Sequence, residues 1–137
     1  MLRLVAVDAA DLSIISAQMQ DALVLRSDMQ FEPKRRRFSL VANRFLWDDL
    51  PGKKRCRVGL HFDDVASVQV QGFDHMAPHT VLSLLAISFQ KDAGLAGLVK
   101  LAFSADVTMR LQVDCINAML SDLSGPWGAT RIPEHIA

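Results

Sequence analysis

The chain has 137 residues, half of them hydrophobic and 22% charged, a composition typical of a folded globular protein. A length of this order predicts a single domain, residues 1–137, with a frayed tail at residues 131–137. Fifteen basic and fifteen acidic residues give a formal net charge of zero. This balance argues against a nucleic-acid-binding protein whose whole surface is basic.

The sequence contains no recognisable targeting or membrane segment. Asp8 and Asp11 interrupt the N-terminal apolar run before it reaches the length of a signal peptide. No window approaches the roughly twenty apolar residues of a membrane-spanning helix. Cys56 and Cys115 are far apart in sequence, as expected for two reduced thiols in the cytoplasm. We therefore predict a cytoplasmic protein without a membrane span.

The first elements are a strand over residues 2–7 and a helix that begins at Asp8. The helix is predicted from apolar residues three or four positions apart on one face: Leu12, Ile15, Met19 and Leu23. Asp8 is the predicted N-cap, and Asp11 adds negative charge in the first turn, where the helix dipole favours it.

Seven strands are predicted next, because apolar residues then recur at every second position. Their spans are residues 25–31, 36–47, 55–62, 65–73, 81–89, 98–103 and 107–113. In the first of them, Leu25, Ser27, Met29 and Phe31 alternate with more polar residues. Short connections between consecutive strands predict antiparallel pairing throughout.

A closing helix is predicted after Asp114, with an apolar face formed by Ile116, Met119, Leu120 and Leu123. The predicted fold class is therefore α+β: an N-terminal strand and helix, a seven-stranded antiparallel meander, and a C-terminal helix. This order of elements resembles that of a pleckstrin-homology-like roll, an analogy that by itself implies no function. Another α+β roll, or an open sheet with both helices on one face, would also fit.

One basic stretch, residues 29–57, dominates the charge distribution. It holds nine of the fifteen basic residues: Lys34, Arg35, Arg36, Arg37, Arg44, Lys53, Lys54, Arg55 and Arg57. Such a cluster predicts an anionic or acidic partner, because arginine forks bind carboxylate and phosphate in a bidentate manner. The alternative is a solvated hairpin whose charges keep edge strands from pairing with other chains.

Two further functions are compatible with these residues and with the histidines. Nucleic-acid binding would combine the basic residues with stacking on Phe38, Phe45 and Trp47, although the alternation of Phe38 and Phe45 is also that of core residues. A metal or enzyme site would use the histidines His61, His75 and His79, of which two lie four apart in a loop. No catalytic motif is present, and the sequence predicts no catalytic residue, cofactor or metal.

Several segments resemble the uncharacterised bacterial domain-of-unknown-function family 2948. They are LVAVDAADLSIISAQMQDALV, DMQFEPKRRRFSLVANRFLWD, RCRVGLHFDDV, VLSLLAISF and DCINAMLSDL. The most specific pieces are Asn43-Arg44-Phe45 with Trp47, and Gly59-Leu60-His61-Phe62. The resemblance implies a small bacterial cytoplasmic protein and supplies no catalytic residue. Our leading hypothesis is a non-catalytic binding module that recognises a protein, a second copy of itself or an anionic ligand through the basic stretch.

Overall fold

A computed structural model describes residues 2–46, 54–74, 76–125 and 127–128. The strands are β1 (Arg3–Ala6), β2 (Ala22–Glu32), β3 (Arg37–Phe45), β4 (Lys54–Phe62), β5 (Val65–Gln71), β6 (Val81–Lys91), β7 (Gly97–Phe103), β8 (Thr108–Val113), β9 (Ala118–Asp122) and β10 (Trp127–Gly128). Helix α1 spans Ala9–Met19, and a 3-10 turn spans Pro33–Arg35. The protein is thus mainly β, and the predicted tail at residues 131–137 lies outside the described residues.

The strands form one sheet in the order β1-β9-β4-β3-β2-β6-β7-β8-β5, with β10 also paired to β4. Every pair is antiparallel, but the sheet is not a simple meander. Strand β5 follows β4 in sequence but pairs with β8. Strand β2 likewise pairs with β6, which is not its neighbour in sequence. In the described residues, one continuous cluster of apolar side chains fills the inner face of this curved sheet.

Helix α1 begins as its sequence predicts. The Asp8 carboxylate accepts a hydrogen bond from the Asp11 N–H at 2.8 Å, and the Asp11 carboxylate accepts one from the Val7 N–H at 3.1 Å. The two acids therefore satisfy backbone donors at the N-terminal end of the helix. The predicted face is buried from Leu12 to Met19, whereas its last predicted member, Leu23, lies in β2. The helix packs against β6, β1 and β3.

The predicted C-terminal helix is wrong, and with it the α+β class and the pleckstrin-homology-like order. Strand β9 replaces it and pairs with β1 on one side and with β4 on the other. The spacing of Ile116, Ala118 and Leu120, all buried, is two rather than three or four. A helix here would leave the facing edges of β1 and β4 without their ladder hydrogen bonds, so the tertiary setting overrides the helical pattern.

Strand β2 departs from regular alternation at a bulge. Val24 pairs with Ala42 and Met29 pairs with Leu40, so residues 25–28 lie opposite the single residue Val41. The predicted alternation over residues 25–31 is therefore broken in its first half. Beyond the bulge, Met29 and Phe31 pack against the core, as the pattern had indicated. On its other side, β2 pairs with β6 only as far as Leu25, because the partner of Leu25, Val81, is the first residue of β6.

Candidate functional site

The two halves of the basic stretch lie at opposite ends of the β3–β4 hairpin. Phe38 pairs with Phe62 at one end, and Phe45 pairs with Arg55 at the other. Eight residue steps along β3, at roughly 3.3 Å each, therefore separate Arg37 from the level of Arg55 by about 26 Å. The single patch considered from the sequence is not formed. Lys53 lies outside the described residues.

At the first end, the β2–β3 connection presents four consecutive cations on a fixed backbone. Pro33 begins the 3-10 turn, where its restricted φ is suited. Arg36 ends it in the left-handed conformation, with φ 51°, and its N–H donates to the Pro33 carbonyl at 3.1 Å. The exposed side chains of this turn are therefore carried by a backbone with little freedom to reorganise.

Each arginine of the turn contacts an acidic side chain. Arg35 lies 3.2 Å from Glu32, and Arg36 lies 2.8 Å from Asp114. Arg37 binds Asp63 through two hydrogen bonds, from Nε at 2.7 Å and from Nη2 at 3.2 Å.

The Arg37–Asp63 pair is the least exposed of these three contacts, and it shifts the pKa of both partners. The hydrogen bond from Arg37 lowers the pKa of the Asp63 carboxyl, against the opposing effect of burial. The same bond raises the pKa of Arg37. Burial, and then the charge of Arg37, lower the pKa of the neighbouring His61, while Asp63 acts in the opposite direction. His61 is therefore neutral at neutral pH.

At the second end, Arg55 is half buried rather than displayed. Its guanidinium donates to the Asn43 carbonyl at 3.0 Å and lies 5.6 Å from the centroid of the Phe45 ring. Burial lowers the pKa of Arg55, and the charge of Asp21 partly offsets this effect. The neighbouring Lys54 and Arg57 are exposed. This end of the hairpin therefore offers fewer exposed cations than the sequence suggests.

Arg44 lies inside the protein. Its side chain is 7% exposed and binds Asp122 through two hydrogen bonds, of 3.0 and 3.1 Å, with a third to Gln18 at 3.2 Å. Asp122 also accepts from the Leu2 N–H at 2.8 Å and from the Cys56 thiol at 3.1 Å. Arg44 thus ties β3, β9 and α1 together and is unavailable for a surface contact.

Neither cysteine has the lowered pKa of a nucleophilic thiol. Burial, and then the hydrogen bond to Asp122, raise the pKa of the Cys56 thiol to about 11. Burial, followed by Asp64, also raises the pKa of Cys115. Both thiols are therefore neutral at physiological pH, whereas reactive cysteines have a lowered pKa.

The histidines considered as metal ligands do not come together in the part of the chain that can be described. His61 lies on the outer face of β4, opposite Ser39 and Met119, and His79 is exposed in the β5–β6 connection. His75 lies outside the described residues. Among the residues that are described, no group of three or more His, Cys, Asp or Glu side chains could hold a metal ion.

A cavity between β2 and β5 was not foreseen from the sequence. It has a volume of about 450 Å³ and a mostly apolar lining, with Arg26 at one side. The sequence treats Arg26 as one of the polar residues that alternate with Leu25 and Ser27. The cavity lies between the part of β2 beyond its pairing with β6 and strand β5, which pairs with β8; neither arrangement leaves a local signal in the sequence.

Comparison with known proteins gives a family but no function. Over residues 2–135 the chain matches the family described as "Protein of unknown function (DUF2948)". The chain belongs to this family. The resemblance predicted from its segments is thus confirmed, and DUF2948 membership assigns no reaction or ligand. Comparison with curated proteins and with solved structures gives no match. Within the described residues, no helix has the length and apolar character needed to cross a membrane.

Proposed function

We propose that this DUF2948 protein is a non-catalytic binding module that recognises an acidic partner through the turn formed by Lys34, Arg35 and Arg36. The observation that carries the proposal is the fixed turn, which displays three consecutive exposed cations. Arg37 is excluded from this contact because its two hydrogen bonds to Asp63 are partly buried. Arg44 is excluded because it is buried against Asp122.

The internal partners of the turn do not prevent such binding. The side chains of Arg35 and Arg36 are 62% and 44% exposed in their ion pairs with Glu32 and Asp114. Exposed ion pairs contribute about 0–1 kcal/mol to stability, since water already solvates both charges. An incoming carboxylate or phosphate therefore replaces Glu32 or Asp114 at little cost and gains a bidentate contact.

A second copy of the chain is one partner of the right chemistry. Residues outside the basic stretch include twelve acidic and six basic ones, so the rest of the molecule is net acidic.

A bacterial cytoplasmic location, which the family resemblance implied, is part of this proposal. The two unpaired cysteines support it, because thiols persist in a reducing compartment.

Nucleic-acid binding through the same cations has less support. Phe38 and Phe45 are 2% and 0% exposed, so neither ring can stack on a base. Trp47 lies outside the described residues. Nucleic acid would then be held by phosphate contacts alone, with an affinity that falls steeply as salt rises. The proposal therefore favours an acidic protein surface or a small anion.

The test reverses the three cations of the turn: Lys34→Glu, Arg35→Glu and Arg36→Glu. A matched control reverses three cations on β6, β7 and β8: Lys91→Glu, Lys100→Glu and Arg110→Glu. Both variants change the net charge equally, so a difference between them reports on position. A hexaglutamate peptide at low salt should bind the wild type and the control alike. It should bind the turn variant roughly tenfold or more weakly, as expected for losing a charge-assisted contact.

The same three proteins separate the alternative partners. Equal binding of hexaglutamate by the two variants, or no binding by the wild type, contradicts the proposal. Tight binding of single-stranded RNA with a steep salt dependence, and none of hexaglutamate, favours nucleic acid instead. Sedimentation over a range of protein concentrations tests self-association, which the turn variant should lose if the partner is a second copy.

A further inference from the structure

The cavity beside β2 lies where the curved sheet fails to close. Strand β2 pairs with β6 from Ala22 to Leu25, and the N–H groups of Arg26 and Ser27 then donate to the carbonyls of Thr80 and Pro78. From Met29 onward, β2 pairs with β3 on one side, and no described strand pairs with its other side. Strand β5 faces this gap as the last strand in the sheet order.

The walls of the gap belong to the inner, apolar face of the sheet. Residues directly opposite one another in an antiparallel pair point to the same face. Val70 pairs with Met109, which is 3% exposed, yet Val70 itself is 45% exposed. On the other wall, Met29 and Phe31 pair with residues of β3 that are almost fully buried. The cavity of about 450 Å³ is thus open to solvent, and core residues such as Phe38 and Met109 form its floor.

Arg26 places a positive charge in this apolar setting. Its guanidinium carbon lies 5.3 Å from the centroid of the Phe73 ring, and both residues line the cavity. The Nε atom of Arg26 is buried and has no hydrogen-bond partner among the described residues. A guanidinium cannot lose its charge, and a buried N–H without an acceptor is unfavourable. Nε is shielded from the cavity, but the terminal nitrogens of Arg26 also form no hydrogen bond or ion pair with a described residue, and these donors point to a ligand.

We infer that this cavity binds a small apolar carboxylate with an unbranched acyl chain. The carboxylate accepts hydrogen bonds from the two terminal nitrogens of Arg26, a bidentate geometry that guanidinium allows. The chain lies between Met29 and Phe31 on one wall and Val68 and Val70 on the other. A volume of about 450 Å³ lies within the range of roughly 300–1,000 Å³ found for small-ligand pockets.

An extended peptide added as a strand between β2 and β5 is a different occupant, and the lining favours the acyl chain. Strand addition depends on backbone hydrogen bonds, and the polar group left unsatisfied in the cavity is a side-chain cation. The inference is independent of the proposed function, because the cavity lining includes none of the cations of the turn.

The test compares ligands that differ at one end. Decanoate and decanol share a chain, and hexanoate keeps the charge with a shorter chain. Calorimetric titration of the wild-type protein should give one site that prefers decanoate over decanol by roughly tenfold or more, with hexanoate weaker than decanoate. This preference needs no substitution and therefore holds even if a variant fails to fold.

Two variants then locate the site. Arg26→Gln should remove the preference for decanoate over decanol while leaving decanol binding unchanged. The matched control Arg110→Gln, on β8, should bind decanoate as the wild type does. In amide NMR spectra, decanoate should shift the signals of Met29, Phe31, Val68 and Val70.

Specific results overturn the inference. Absence of decanoate binding, equal affinity for decanoate and decanol, or unchanged selectivity in Arg26→Gln excludes a carboxylate site at Arg26. Shifts confined to the turn at residues 34–36 exclude the cavity. An acetylated hexapeptide of alternating Val and Thr is the remaining probe. If it protects the β2 and β5 amides from hydrogen exchange while decanoate has no effect, strand addition replaces the acyl ligand.

Discussion

Two arginine–aspartate pairs in this protein share a geometry and differ in their surroundings. Arg44 binds Asp122 through Nε and Nη2 at 3.0 and 3.1 Å, and Arg37 binds Asp63 through the same two atoms at 2.7 and 3.2 Å. The first pair has side chains 7% exposed, and the second has side chains 31% and 26% exposed. The contrast shows why an ion-pair distance alone does not rank the contribution of a contact to stability.

Burial increases the loss of stability that follows when one member of an ion pair is removed. Burial raises the pKa of the Asp122 carboxyl, but hydrogen bonds from Arg44, the Leu2 N–H and the Cys56 thiol outweigh it, so the pKa lies below its ordinary value. At the surface, water replaces a lost partner of Arg37. Inside, the charge left by a lost partner has nothing to replace it. The inner pair should therefore tolerate single substitutions far less than the outer pair.

The largest expected effect is that of removing one member of the inner pair. Arg44→Ala or Asp122→Ala should lower the free energy of unfolding by about 3–5 kcal/mol, because each leaves an uncompensated buried charge. Urea denaturation followed by circular dichroism measures the loss. The exposed Arg57→Ala is the control, with an expected change within about 0.5 kcal/mol. A loss below about 1 kcal/mol in both inner variants would show that water reaches the pair.

Replacing both members of the inner pair should cost less than replacing either one. In the variant Arg44→Met with Asp122→Leu, neither member of the pair leaves a buried charge behind, and apolar side chains of similar size fill the space. The Leu2 N–H loses its acceptor, for which we expect a loss of about 1–3 kcal/mol. The same urea titration provides the comparison. A double variant less stable than both single variants would mean that the pair itself is needed to specify this packing.

The inner pair also shows how far the sequence predicts this fold. The strands β2 to β8 and helix α1 follow from local periodicity, and Asp8 and Asp11 from their capping chemistry. Arg44 and Asp122 are 78 residues apart, and no local pattern joins them. The formation of β9 depends on its backbone pairing with β1 on one side and with β4 on the other. Long-range pairing, rather than periodicity, therefore decides the parts that local reasoning predicts wrongly.

The candidate sites follow the same division. The four cations of residues 34–37 are predicted directly, because they are consecutive in sequence. Their separation from Arg55 depends on the register of β3 against β4, which no local sequence pattern predicts. Arg26 acquires its setting from Phe73 and from β5, both distant in the chain. A local motif thus locates the turn, whereas the cavity is visible in three dimensions alone.

The outer pair should contribute much less than the inner one. A double-mutant cycle with Arg37→Ala and Asp63→Ala should give a coupling free energy of up to about 1 kcal/mol, as found for exposed pairs. The coupling should fall in about 1 M NaCl, where the screening length is near 3 Å. The corresponding cycle at Arg44 and Asp122 should change little with salt. Equal salt sensitivity of the two cycles would remove the distinction drawn from exposure.

The smallest expected effect is the pH dependence that His61 adds beside the outer pair. Arg37, Asp63 and Arg35 are the charges acting on it, and Ser39 and Met119 lie opposite it on the neighbouring strands. Because burial and Arg37 lower the pKa of His61, the unfolded chain binds a proton at a higher pH than the folded protein does. The stability due to neutral His61 is therefore present above about pH 6.5 and is lost as pH falls through the folded pKa.

Unfolding free energies of wild type and His61→Gln, measured from pH 8 down to pH 5, isolate this contribution from the other histidines. The difference in unfolding free energy between the two proteins should be constant above about pH 7. As pH falls below about 6.5, the wild type should lose stability relative to His61→Gln. The carboxyls behave separately, since the lowered pKa values of Asp63 and Asp122 place their loss of stabilisation below about pH 4. If acidification instead stabilises the wild type relative to His61→Gln, the pKa of His61 is raised by Asp63 more than it is lowered by burial and Arg37.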